Sequence, residues 1–359
     1  MTHHPLRRRR ALGLLGTALA APALVRAAET VTIRIGVASV GIGGRQFFGG
    51  SPGGTMHAKH YLEDEFRNDP NIRIEWSFFR GAGPAVNEAI ANDQLDLAYQ
   101  GDLPSIIGRA NGLKTKILAA SGAHVPIYLG VPPDSDIHGV KDLKGRRVAM
   151  FRGTNEQLAT DKVLAANGMS ERDLKVFNMD TATADAALAD RQIDAAFGDL
   201  DLLSLAAQGL ARIAYTTKND NPAYGRRSHI LSTEKFQAQH PELIARTMKA
   251  YLKAAQWSSD EKNRDALFVL WSKTGIPADI YRADFAGQAL AYRDSPLLDD
   301  FAFAQYRTQA KMAREYKLLR RDVEIDGWLE TSFLEAGLKE LGLEHYWTRY
   351  DATGKAIGV

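Results

Sequence analysis

Between residues 30 and 217 the sequence keeps changing period, from the two-residue alternation of a strand to the 3.6-residue repeat of a helix. "TVTIRIGVAS" (30–39) alternates as a strand, and "MHAKHYLEDEF" (56–66) repeats as a helix. Strands are expected again at 72–79, 95–100 and 115–120, with helices at 84–93 and 103–111 between them. The cycle then restarts, with strands at 146–151, 174–179 and 193–199, helices at 154–167 and 182–192, and a last pair, "LLSLAAQG" and "ARIAYTT". Such alternation predicts an α/β fold, with mainly parallel sheets and helices on both faces. From about residue 230 the texture is helical. "NDQLDLAYQGDL" (92–103) and "DRQIDAAFGDLDL" (190–202) align by eye, which suggests two similar lobes with a small-ligand cleft between them.

The N-terminus is different. Residues 1–27 hold five arginines and no acid, and run from "RRRR" through "ALGLLGTALAAPAL" to Val25 and Ala27, small residues at the −3 and −1 positions of a cleavage site. This order predicts an export signal peptide, and "RRRRALGLL" resembles a twin-arginine leader. Without it the chain has 40 basic and 43 acidic residues, so its basic balance belongs to the leader and gives no support to nucleic-acid binding. No later run approaches the about 20 apolar residues of a transmembrane helix. The chain has no cysteine, which excludes disulfides, cysteine nucleophiles and thiolate metal sites. The expected product is a soluble, monomeric protein of a periplasm-like space.

Three stretches carry chemistry. "GGRQFFGGSPGGT" (43–55) has the glycine density of an anion cradle, but it lacks the lysine of a nucleotide P-loop, and Gln46 stands where a dinucleotide fingerprint needs its third glycine. Its tip, 49–54, is expected to be a surface loop. "RGTNEQ" (152–157) reads as a helix start, with Thr154 as cap and Gln157 completing a capping box; its free N–H groups favour an anion. "YQGDLPS" (99–105) is a second start with Asp102 as cap, and "FGDLD" (197–201) places Asp199 at a strand end, where it caps a helix or meets a ligand amine. His57, His60 and Asp64 would share one helix face, an arrangement more often solvated than metal-binding, and no metal or cofactor is expected. No nucleophile–base set is recognisable, so no catalytic residue is expected.

Taken together, "GAGPAVNEAIANDQLDLAYQGDLPSIIGRANG", "VKDLKGRRVAMFRGTNEQLATDKVLAANGMS" and "QIDAAFGDLDLLSLAAQG" resemble the periplasmic substrate-binding proteins of ABC importers for aliphatic sulfonates, taurine and nitrate. The resemblance implies a two-lobed type II periplasmic binding protein fold with C-terminal helices. Lobe I would comprise 30–122 plus 219–359 and lobe II 123–218, with crossing strands near "PIYLGVPP" and "RRSHILS". It implies a small anionic organic ligand, an alkanesulfonate or taurine-like organosulfonate, an ABC permease as partner, and ligand contacts from Gly44, Arg45, Gln46, Gly81, Gly83, Gln100, Asp102, Thr154, Asn155 and Asp199. Arg45 or Arg152 would add a charge-assisted bond. Nitrate, an aromatic carboxylate or a thiamine-precursor pyrimidine are alternative ligands. Desulfinases resembling the family use a cysteine that this chain lacks. The chain also departs from the family's short loop, placing "FFGGSPGGTMHAKH" before the first helix, which is expected to enlarge the lip of the cleft.

Overall fold

Val31–Val37 sends Ile33, Ile35 and Val37 into the core, as its alternation requires. In the computed structural model, which describes residues 1–2 and 30–358, this strand, β1, is the first of two five-stranded sheets. Nearly all of the expected leader lies outside the described residues. The chain continues through α1 (Pro52–Ala58), α2 (Tyr61–Phe66), β2 (Ile72–Phe78), α3 (Ala82–Ala91), β3 (Leu97–Gly101), α4 (Asp102–Ala110) and β4 (Thr115–Ala120). It then builds β5 (Tyr128–Val131), β6 (Arg147–Met150), α5 (Asn155–Ala166), β7 (Lys175–Asn178), α6 (Thr181–Ala189), β8 (Ala195–Gly198), α7 (Leu200–Ala207) and β9 (Arg212–Thr216). Finally β10 (Ser228–Thr233) leads into α8 (Glu234–Gln239), α9 (Pro241–Ser259), α10 (Arg264–Trp271), α11 (Ala278–Phe285), α12 (Leu290–Arg293), α13 (Asp300–Glu315) and α14 (Ser332–Leu341).

The sheet orders are β2-β1-β3-β10-β4 and β7-β6-β8-β5-β9. In each, three parallel strands are followed by one antiparallel strand in the fourth place. That strand is the one the chain enters as it crosses between sheets: β5 on the way out, β10 on the way back. The two crossings touch through an antiparallel bridge between Val125 and Arg226. The largest core lies around the first sheet, where β1, β3 and β4 meet α9, α13 and α14, while the second sheet has a smaller apolar cluster on each face. A fourth cluster, around Trp271, Tyr281 and Phe285, receives Leu200 and Leu203 of α7, so the C-terminal helices also touch the second sheet's layer.

The region 49–66 corrects two expectations. The helix expected over 56–66 is two helices, broken at His60, whose φ of 58° is left-handed. His57 is accordingly separated from the exposed His60 and packs edge-on at 4.9 Å from the Trp76 ring. The tip at 49–54 is no surface loop. Ser51 caps α1 by accepting from Gly54 N (3.4 Å), Pro52 occupies its first turn, and Ser51 to Met56 are buried. Gly53 lies flat on Tyr99, where a Cβ would fall 2.5 Å from the ring. Thr55 Oγ1 accepts from Ser258 (2.8 Å) and from Trp271 Nε1 (3.1 Å), fastening α1 to α9 and α10.

Candidate functional site

In each parallel core the strands run the same way, so their carboxyl ends and the helix starts that follow gather on one edge. The two edges face each other across a cavity of about 560 Å³. Its wall takes Gly83 from α3, Gly101 before α4, Thr154 and Asn155 at α5, Thr181 at α6, and Leu200 at α7. These are helix N-termini from both halves, each with first-turn N–H groups that no intrahelical carbonyl can accept. The halves come close where α4 meets α5: a Cβ on Gly101 would fall 2.6 Å from that of Asn155, and Asn155 Nδ2 donates to Arg227 O (3.1 Å).

The α5 start does not form the expected capping box. Thr154 Oγ1 turns back to donate to Phe151 O (2.6 Å), and Gln157 Oε1 accepts from Gly153 N (2.8 Å) instead of Thr154 N. Thr154 holds the cap position without a side-chain cap bond, so the helix end opens toward the cavity uncapped. Asp102 is the first residue of α4, with Gly101 in the cap position, and its Oδ1 accepts from its own neighbour, Leu103 N, at 2.7 Å.

Of the eleven expected contacts, Gly44, Gly83, Gln100, Thr154, Asn155 and Asp199 lie on the cavity wall. The other five do not. Gly81 holds the cap position of α3, between Arg80 and Ala82, which line the cavity while it does not. Asp102 is buried beneath it. Arg45 reaches away to Lys273 O (3.3 Å), and Gln46 to Gly44 O (3.5 Å), both on the exposed side. Arg152 is drawn outward by Glu171, its Nε 3.1 Å from Oε2. An arginine's position in sequence sets its charge but not its direction; the nearest carboxylate sets that.

Several charged residues on the wall escaped the sequence reading. Arg226 pairs with Asp199 (3.0 Å), Arg293 with Asp284 (2.9 Å), and Arg80 with Asp180 (3.1 Å). Tyr128 Oη donates to Asp284 Oδ1 at 2.6 Å. Glu156, Asp185 and Asp201 also face the cavity. Burial pushes the Glu156 carboxyl up to about 8, although Phe151 N donates to it. Burial, with Asp199 nearby, pushes Asp185 up to about 7. Burial alone would raise Asp199, but Arg226 holds it below the usual range, and its neighbour Asp201 is raised by burial and by the Asp199 charge. Arg226 and Arg293 keep their Nε donors unpartnered, and Gln100 and Ser121 keep Oε1 and Oγ unpartnered. Val37, Phe48, Tyr99, Phe151 and Leu200 supply apolar and aromatic surface.

The strongest nucleophile–base geometry among the described residues lies off this wall. Ser105 Oγ is 2.7 Å from His229 Nε2, and His229 Nδ1 is 2.5 Å from Tyr306 Oη. All three are buried, and burial holds His229 down to about 3, so the ring stays neutral. The chain of bonds pins β10 between α4 and α13.

A sequence model of the NMT1/THI5 like family matches residues 78–263, more than half of the chain. The chain is similar to a Bacillus subtilis (strain 168) protein named for binding aliphatic sulfonates, 24% identical over 79% of this chain and 83% of that one. It is also similar to a solved structure from Methylobacillus flagellatus KT, named as the periplasmic sulfonate-binding protein SsuA of a sulfonate ABC transporter. That likeness is 27% identical, with a TM-score of 0.77, covering 90% of this chain and 98% of that one. The alkanesulfonate-binding protein SsuA from Xanthomonas axonopodis pv. citri, bound to MOPS, shares the fold: 24% identical, TM-score 0.70, covering 85% of this chain and all of that one.

Proposed function

The chain belongs to the NMT1/THI5-like family, and from that premise we propose that it is an extracytoplasmic solute receptor that binds a small organosulfonate in the cavity and delivers it to an ABC permease. The observation that carries this reading is the ring of helix N-termini from both halves around one cavity. Backbone N–H groups and helix dipoles hold a sulfonate without a full countercharge. The uncapped start of α5 is the best-placed of them. The unpartnered Nε groups of Arg226 and Arg293 add donors to the same wall. Phe48, Tyr99 and Phe151 give an organic group a surface to pack on. A cavity of about 560 Å³ is far larger than nitrate requires and suits an organic ligand.

The relatives' names support the same class, and so does the absence of cysteine, which removes the nucleophile of the desulfinase reading. In this reading no bond is made or broken. Capture, enclosure and release are the whole activity, and closure around the ligand is what a permease recognises.

The test is thermal denaturation of the purified chain against a panel of sulfonates, nitrate, aromatic carboxylates and aminopyrimidines. A ligand at about a hundred times its Kd stabilises the folded state by roughly 2.7 kcal/mol. A rise in Tm with sulfonates alone is the expected result. No rise with any sulfonate at millimolar concentration overturns the assignment.

A further inference from the structure

The cavity wall is rich in hydrogen-bonding side chains but carries little free charge. Each arginine that lines it is held by a carboxylate that also lines it: Arg80 by Asp180, Arg226 by Asp199, Arg293 by Asp284. Three further carboxyls stand on the second-sheet side: Glu156, Asp185 and Asp201. Asp199 accepts from the side chain and the backbone N–H of Asp201 as well as from Arg226. A bond between two carboxyls needs a proton, and the Arg226 guanidinium keeps it off Asp199, so Asp201 is the donor and its other oxygen stays an acceptor. Glu156 accepts from Phe151 N through Oε1 (3.0 Å), which leaves Oε2 to the cavity. Asp185 is half-buried and makes no hydrogen bond or ion pair among the described residues. Burial favours the neutral forms of Glu156 and Asp185. A neutral carboxyl donates through its O–H and accepts through its C=O.

Size and shape are independent of this. A volume of about 560 Å³ lies within the range of pockets that enclose drug-sized molecules. A short-chain alkanesulfonate fills only part of it. From the first-sheet side Phe48 and Tyr99, with ring centroids 5.5 Å apart, offer flat apolar surface. The cavity therefore has an aromatic side and a side of neutral acids.

Resting on the receptor reading above, we propose that the ligand's organic part is polyhydroxylated and of monosaccharide size, a sugar-like sulfonate whose hydroxyls are received by Asp185, Glu156 and Asp201. An alkyl chain laid on that wall strips water from three polar groups and returns no bond. An ammonium meets acids that are neutral or already paired. A hydroxyl donates and accepts from one atom, so it answers a carboxylic acid in both roles. The C–H face of a sugar ring suits the aromatic side. Asp185 is then a specificity-determining residue, since neither oxygen has a partner in the protein.

The experiment is isothermal titration calorimetry of the purified chain at pH 7. The paired ligands are 6-deoxy-6-sulfoglucopyranose and cyclohexylmethanesulfonate, which share a six-membered ring bearing a methylene sulfonate and differ in the hydroxyls and the ring oxygen. Butane-1-sulfonate is the third ligand. A site built to bond hydroxyls discriminates strongly against analogues that lack them, so the sugar sulfonate is expected to bind at least tenfold more tightly than its carbocyclic partner. Asp185→Leu should shrink that ratio at least fivefold, and Asp185→Asn, which still donates and accepts, should retain most of it. Asp185→Ala serves as a second apolar variant, and the Tm of each variant confirms that it is folded. Equal or tighter binding of cyclohexylmethanesulfonate overturns the proposal and leaves the sulfonate reading standing. So does binding of butane-1-sulfonate alone. An unchanged ratio in the folded apolar variants overturns the role of Asp185, and with it the proposal. If none of the three binds, the sulfonate reading fails and the proposal falls with it.

Discussion

Arg80 and Asp180 meet across the mouth of the cavity, Nε to Oδ2 at 3.1 Å, one on the loop after β2 and the other capping α6. Each belongs to a different sheet's layer, so the pair exists only while the two edges face each other closely. Arg80 is largely exposed, and an exposed pair contributes about 0–1 kcal/mol. Arg80→Ala is therefore expected to weaken ligand binding roughly two- to fivefold, with faster release and little change in the Tm of the empty protein. Stopped-flow dissociation and calorimetry measure both quantities.

Gly53 lies against the Tyr99 ring with no room for a methyl group. Gly53→Ala is expected to destabilise by about 1–3 kcal/mol through overpacking. Thermal unfolding of the unliganded protein reads this as a fall of several degrees. Deleting 49–54 should prevent folding, because it removes the Ser51 cap and the first turn of α1, the helix that carries Thr55 to its partners Ser258 and Trp271. A disposable lip would tolerate the same deletion.

The Arg293–Asp284 pair is fully buried, and Tyr128 ties it to β5. Arg293→Ala leaves a buried carboxylate with only the tyrosine hydroxyl, an expected loss of about 3–5 kcal/mol. Tyr128→Phe removes one hydrogen bond while Arg293 still neutralises Asp284, and should cost about 1–3 kcal/mol. Urea or thermal denaturation orders the two, and the reverse order would refute the network as described.

Glu156 gives the protein a pH signature of unusual sign. Its carboxyl rises from 4.5 to about 8 on folding because of burial. The folded state therefore keeps a proton that the unfolded chain has released. The stability this provides is present below about 4.5 and is lost as pH rises through about 8. Glu156→Gln keeps the acceptor for Phe151 N and removes the titration. Between pH 5 and 9 the variant's Tm should fall less than that of the native chain. Other groups titrate in this range, so the difference between the two curves is the informative quantity.

Much of the fold was legible because strand and helix periods alternate cleanly; the strand expected at 115–120 is β4 without adjustment. α1 was not, because "PGGT" has poor helix propensity and the helix is held by packing on Tyr99, α9 and α10. Ser51 followed by Pro52 was the available signal, a cap and a first-turn proline. In the site, Gly83, Gln100, Thr154 and Asn155 were readable as the ends of strands and the starts of helices. Arg226, Asp284 and Arg293 were not, since they come from a crossing segment and from C-terminal helices that only tertiary structure brings to the wall. Asp185 lies inside α6, where local pattern marks it as an ordinary polar position.

The place of β10 also has a consequence for the order of assembly. The second sheet draws all its strands from one continuous stretch, 128–216, whereas the first has β10 wedged between β3 and β4. Until residue 233 has been made and has arrived, β4 has no neighbour in its sheet, and the three strands that precede it have an open edge. The middle of the chain can therefore close on local contacts, while its beginning must wait for a partner more than a hundred residues away. Long-range pairing of this kind slows folding, so the half synthesised first is the half that finishes last.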